Sequence, residues 1–144
     1  MQVKIEIAPE YTPPCAVIYT DRLTPEIQRT MEVLGAKTGP VLGQQNDRTV
    51  LLSPRDVYLV RVENGKTLIY TQREEFRSRK RLYELLEQLG EGFLQISKSC
   101  AVNLSFIQSV EASIGGSLLL KMKNGLSDYI SRKYLQEFKN YLGL

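Results

Sequence analysis

A chain of 144 residues with 42% hydrophobic side chains can bury one good core but not two, so one compact unit with at most a small appended lobe is expected. It contains no histidine and no tryptophan; the usual general base at neutral pH and the usual ligand of zinc, copper and iron are missing, and neither an enzyme nor a cofactor is expected. The net charge of +3 is unevenly spread, with four basic and six acidic residues in 1–47 against fifteen and ten in 48–144, so a polyanion would be met by the C-terminal two-thirds.

In chain order, Val3, Ile5 and Ile7 alternate with Lys4 and Glu6 as in a short strand, which Tyr11-Thr12-Pro13-Pro14 breaks. Ala16 to Tyr19 reads as a second strand. Thr24-Pro25-Glu26 then opens a helix: a capping hydroxyl, proline at the first helical position and a carboxylate near the positive end of the dipole. Ile27, Met31 and Leu34 are its expected buried stripe and Gly35 its stop. Lys37 to Asp47, with three Gly or Pro in eleven residues, reads as a linker.

From there the pattern is strand-rich. Thr49 to Leu52 is followed by Ser53-Pro54. Val57 to Glu63 and Thr67 to Thr71 flank Asn64-Gly65, and Leu118 to Lys123 and Leu126 to Ile130 flank Asn124-Gly125, so two hairpins are expected. A helix beginning near Ser78 carries Leu82, Leu85, Leu86 and Leu89 at helical spacing, with Gly90 behind it. The last helix opens at Ser131 and is expected to bury Tyr134, Leu135, Phe138 and Leu142. No apolar segment is long enough to export or anchor the chain, and Cys15 and Cys100 read as reduced, mostly buried thiols of a cytoplasmic protein.

No phosphate loop, dinucleotide fingerprint, nucleophile elbow or zinc motif is present. Ser97 and Lys98 do not make a dyad, because neighbours on a strand point to opposite faces. The cations say more. Arg77, Arg79, Lys80 and Arg81 crowd near a helix start, where positive charge opposes the dipole. Arg132 and Lys133 follow Ser131 at a second helix start, a place suited to phosphate. Lys121 and Lys123 share one strand face. Lys98 and Ser99 end an apolar strand where the chain must turn outward, and Lys and Ser are types that reach phosphates and base edges. Asn103, between Val102 and Leu104, more often fixes a turn through its backbone bonds.

The stretch FLQISKSCAVNLSFIQSV, with KNG…YISRKYLQEFKNYL downstream and Asp56-Val57-Tyr58 and FRSRKRLYELLEQL upstream, resembles the LytTR-type DNA-binding domains over about residues 48 to 143. The resemblance implies an α+β fold, a mostly β domain of small packed sheets with a C-terminal helix, that binds promoter DNA as a pair of modules through loops in the major groove. Carried over by position, the DNA-facing loops are Asn64-Gly65-Lys66, Lys98-Ser99 and Arg132-Lys133. Gly65 offers no side chain, so Lys66 is expected to meet phosphate there. The phosphoacceptor receiver common in the family does not fit within residues 1–47. These resemble the β-α-β extension and linker of small stand-alone members, some of which act with a membrane protein encoded nearby.

The expectation is a cytoplasmic bacterial transcription regulator, a homodimer on double-stranded DNA. Residues 48–144 are its binding domain, Lys98, Ser99, Arg132 and Lys133 its groove contacts, and Lys66, Arg77, Arg79, Lys80, Arg81, Lys121 and Lys123 its phosphate contacts. The rivals are a protein-interaction module that does not touch DNA and an RNA binder. The latter is disfavoured because the basic strands lack interleaved aromatics for stacking bases.

Overall fold

The computed structural model describes residues 1–34 and 40–143. Asn64 and Gly65 take positive φ of 52° and 74°, the backbone of a two-residue turn whose twist matches its flanking strands. It joins β3 (Leu59–Glu63) to β4 (Lys66–Tyr70), with Glu63 opposite Lys66. Asn46 and Asp47 do the same at φ 48° and 62°, joining β1 (Val41–Gln45) to β2 (Arg48–Leu52). β1 lies within the stretch expected to be a linker. Its Gly43 is there for packing: a Cβ would come within 2.7 Å of the Phe76 Cβ.

The basic run also holds a strand that the sequence reading missed, β5 (Glu75–Ser78), with Phe76 and Ser78 buried and Glu75 and Arg77 exposed. The expected helix therefore starts at Leu82 rather than near Ser78, as α2 (Leu82–Leu89). Its entry is fixed by the Ser78 hydroxyl accepting from the Lys80 N–H at 3.1 Å and the Glu84 carboxylate accepting from the Arg81 N–H at 3.1 Å. Arg79 and Lys80 thus precede the helix instead of opposing its dipole.

β6 (Phe93–Ser97) and β7 (Cys100–Asn103) complete an antiparallel seven-stranded sheet ordered β2-β1-β5-β4-β3-β7-β6. A three-stranded sheet follows: β8 (Ile107–Ala112), β9 (Leu118–Met122) and β10 (Ser127–Ile130), in the order β10-β9-β8. The chain closes with α3 (Arg132–Leu142).

Where the length suggested one core, strand alternation sends side chains into two, one on each face of the large sheet, which both share. Val60, Ile69, Phe76 and Ala101 pack with Leu82, Leu85 and Leu89 of α2. Leu59, Ile96, Cys100 and Val102 pack with Leu120, Met122 and Ile130 of the small sheet and Phe138 of α3. All four residues of β7 are buried, as befits a strand covered on both faces. Burying each large side chain contributes about 1.5–3 kcal/mol. In α3, Phe138 alone is fully buried; Tyr134 and Leu135 are half-buried and Leu142 is exposed, contrary to expectation.

Of the expected β-α-β extension, only α1 (Pro25–Val33) forms, started as anticipated by the Thr24 hydroxyl accepting from the Ile27 N–H at 3.3 Å. Residues 3–7 and 16–19 belong to no sheet, and Val3, Ile5, Ile7, Val17 and Tyr19 are exposed. Two short strands without a covering layer bury too little to hold together. The α1 stripe is likewise only half-covered at Ile27 and Met31, and exposed at Leu34. Gly35 and residues 37–39 of the expected linker lie outside the described residues. Cys15 is exposed, against expectation, and Cys100 is buried.

Candidate nucleic-acid interface

Antiparallel pairing decides which turns share an end of the sheet. β3 pairs with β7 with Arg61 opposite Cys100, so the Asn64-Gly65 turn and the Lys98-Ser99 turn project from the same end. The Val62 N–H donates to the Ser99 carbonyl at 2.8 Å, joining the two hairpins just below their tips.

The β6–β7 register slips between Gln95 and Ser97. This bulge leaves Ile96 out of the ladder, and its carbonyl accepts the Ser131 N–H at 2.8 Å. The start of α3, with Arg132 and Lys133, is thereby tied to the Lys98 hairpin. Ser131 does not cap through its hydroxyl, contrary to the simple reading of a Ser at that position. β5 ends at the same end, with Ser78 opposite Thr67, so Arg79 follows beside Lys66.

Lys66, Lys98, Ser99, Arg132 and Lys133 are all exposed. Among the described residues no carboxylate lies within ion-pair distance of Lys66, Lys98 or Arg132. Lys133 lies over the Tyr134 ring at 5.5 Å. With strands about 4.8 Å apart, the row from β5 to β6 measures about 19 Å, more than the width of about 12 Å of one major groove. Its outer members would meet backbone or a neighbouring groove.

Apart from Arg79, which lies beside Lys66, the other cations are held by neighbours or placed elsewhere. Arg77 and Arg79 line a shallow concavity of about 400 Å³ with Gln44, Asp47 and Thr49, on the wing of the sheet that the small sheet leaves open. Lys80 is held by the Gln88 side chain at 3.0 Å, and Arg81 precedes α2. Lys121 pairs with Glu111 at 3.2 Å. Lys123 reaches the Ser105 carbonyl at 3.4 Å, while the adjacent Asn124 donates to the Thr71 carbonyl beyond the far end of β4. Lys123 is therefore not gathered with the hairpin tips, and Lys121 is engaged by Glu111.

The sequence reading missed Arg61. Its guanidinium donates to Asp128 Oδ2 at 3.1 Å, to the Ser127 carbonyl at 2.9 Å and to Glu63 Oε1 at 3.3 Å. One cation thus bridges the two sheets and neutralises two carboxylates near the tips; Glu63 also accepts from the Tyr70 hydroxyl at 3.3 Å. Burial works against the Arg61 charge, but Cys100, Asp128 and Glu63 together raise its pKa above the ordinary value. Burial, reinforced by Asp128, pushes the Cys100 thiol up to about 12. An arginine between Val60 and Val62 was the only local signal, and it named no partner. Asn103 has the structural role expected of it: buried, it donates to the Val57 carbonyl at 2.9 Å and accepts the Ser105 N–H at 3.0 Å.

A mostly β domain with hairpin tips and a helix start aligned at one end is the architecture of one family of DNA-binding domains. The LytTr DNA-binding domain model matches residues 47–143, and the chain belongs to the LytTR family. It is 30% identical over 111 residues to the sensory transduction protein LytT of Enterococcus faecalis, covering 76% of this chain and 46% of that protein. It is also 30% identical over 108 residues to an HTH-type transcriptional regulator of Staphylococcus aureus, covering 75% and 74%. The chain thus spans about half the length of the first relative and three-quarters of the second. A LytTr DNA-binding domain from Bacillus cereus superimposes with a TM-score of 0.69 at 21% identity, covering 74% of this chain and 99% of that one, a likeness of fold. The helix-turn-helix of the staphylococcal name has no counterpart among the described residues, where β6 to β10 separate α2 from α3.

Proposed function

We propose that this chain regulates bacterial transcription by binding double-stranded DNA sequence-specifically through the end of the sheet that carries Lys66, Lys98, Ser99, Arg132 and Lys133. The observation that carries the reading is the backbone coupling of the tips, Val62 to Ser99 and Ser131 to Ile96. Three cationic turns linked in this way move as one body, and a preorganised surface loses little entropy on binding. Lys98 and Ser99 at the tip, and Arg132 with Lys133, read base edges. Lys66, Arg79 and Lys80 meet phosphates, Arg77 and Arg81 meet outlying ones, and Lys121 and Lys123 fall outside the footprint. The binding unit starts at Val41, since β1 is hydrogen-bonded between β2 and β5. It works in the cytoplasm as a homodimer on repeated half-sites, with a membrane protein as a further partner and without catalysis. Among the described residues no helix is long and apolar enough to cross a membrane.

Titration of the full chain with cognate and random duplexes at two salt concentrations tests this. Binding should weaken steeply with salt. Lys98→Ala should cost about 1–3 kcal/mol on the cognate duplex and relax choice at one position, while Lys121→Ala leaves the ratio of cognate to random affinity unchanged. Absence of salt-sensitive binding would favour a protein-interaction module, and preferential competition by single-stranded RNA would favour an RNA binder.

A further inference from the structure

β2 is an outer strand of the large sheet: β1 pairs along one side, and among the described residues no strand takes the other. Native sheets usually blunt such an edge with proline, lysine or a bulge. Arg48–Leu52 has no proline, no lysine and a single charge, Arg48, at its start, and its five pairs with β1 run without a register break. On the open face Leu51 is 67% exposed beside its cross-strand partner Leu42, 49% exposed.

The same chain carries a segment that matches this edge. Val3–Ile7 is as long as β2, alternates apolar and charged side chains, and belongs to no sheet. Val3, Ile5 and Ile7 are 82%, 80% and 94% exposed. Residues 1–40, which precede the sheet, hold four basic and five acidic side chains, a net −1, and residues 41–144 hold fifteen and eleven, a net +4, so the extension and the sheet carry opposite charge.

We propose that Val3–Ile7 of one copy adds as a strand to the β2 edge of a second copy, and that the exchange is reciprocal. Backbone groups of both segments gain partners. Val3, Ile5 and Ile7 cover Leu42 and Leu51, while Lys4 and Glu6, paired with each other at 2.9 Å, fall on the opposite face, the one that carries Arg48. The occupant is a second copy because both unmet requirements occur once in each chain, and a two-fold exchange satisfies all four in a closed dimer. This specifies how the proposed homodimer is held. It leaves the DNA-facing end free, because β2 lies on the flank of the sheet away from β6.

The test uses the full chain in a Cys15→Ser background. Sedimentation equilibrium should show a dimer whose dissociation constant rises by about tenfold or more with Ile5→Asp and with Leu51→Asp. Both side chains are exposed in the single chain, so the Tm measured at concentrations where parent and variants are all monomeric should not change. A mixture of the Ile5→Cys and Leu51→Cys chains, oxidised, should give a cross-linked product of two chains. Monomer at all concentrations, a dimer indifferent to both substitutions, or a 5–51 cross-link forming only within one doubly substituted chain would overturn the proposal. Binding of one duplex half-site by the Ile5→Asp chain is scored separately, so loss of the dimer and loss of DNA binding are distinguishable.

Discussion

Val3–Ile7 and Phe93–Ser97 are equally long, equally apolar to the eye, and both read as strands. Phe93–Ser97 becomes β6, hydrogen-bonded to β7, with Ile96 buried beneath the small sheet and α3. Val3–Ile7 lies bare, with Ile7 94% exposed. The difference is not propensity, for Val-Lys-Ile-Glu-Ile is the better β-former of the two. A strand persists where something covers its face and pairs its edge, and only β6 has both.

Substitutions along the two segments sharpen that contrast. Ile96→Ala should destabilise the fold by about 2–5 kcal/mol, measured by urea denaturation, since it opens a cavity between the large sheet and α3. Asn103→Ala, at the far end of the same hairpin, should cost about 1–3 kcal/mol by orphaning the Val57 carbonyl and the Ser105 N–H. Cys100, on β7 opposite Ser97, adds a pH test. Its folded pKa of about 12 lies above the ordinary 9.0, so the unfolded chain releases its proton first. The stabilisation is complete below pH 9 and is lost as pH rises towards 12, at about 1.4 kcal/mol per pH unit. Cys100→Ala should flatten that slope in urea melts taken between these limits. Ile5→Ala should shift monomer stability by less than about 0.5 kcal/mol, as for an exposed site without partners. A large loss there would mean that the extension packs on its own domain.

What was legible follows the range of the forces. The turns at Asn64-Gly65 and Asn124-Gly125, the leucine spacing of α2 and the Thr24 cap were readable because each depends on residues a few positions apart. β1 was hidden by Gly43, which looks like a linker glycine until Phe76 is seen above it. β5 was hidden because its inward positions hold only Phe76 and Ser78 among charges that suggested a helix start. Lys98 and Arg132 could be picked out as cations at turns, and Lys66 through the family resemblance, yet no local feature said that these turns share one end while Lys123 does not.

Residue chemistry taken alone determined the strand-rich pattern, the two Asn-Gly hairpins, the cationic C-terminal two-thirds and the cations at Lys98 and Arg132; the resemblance to a family supplied the mostly β class and the full set of tips. Tertiary pairing decided which strands exist, which turns are neighbours, and that Arg61 meets Asp128 across 67 residues. Backbone turns and side-chain periodicity are properties of neighbours along the chain, whereas burial, ion pairing and strand partnership exist only once distant segments have met.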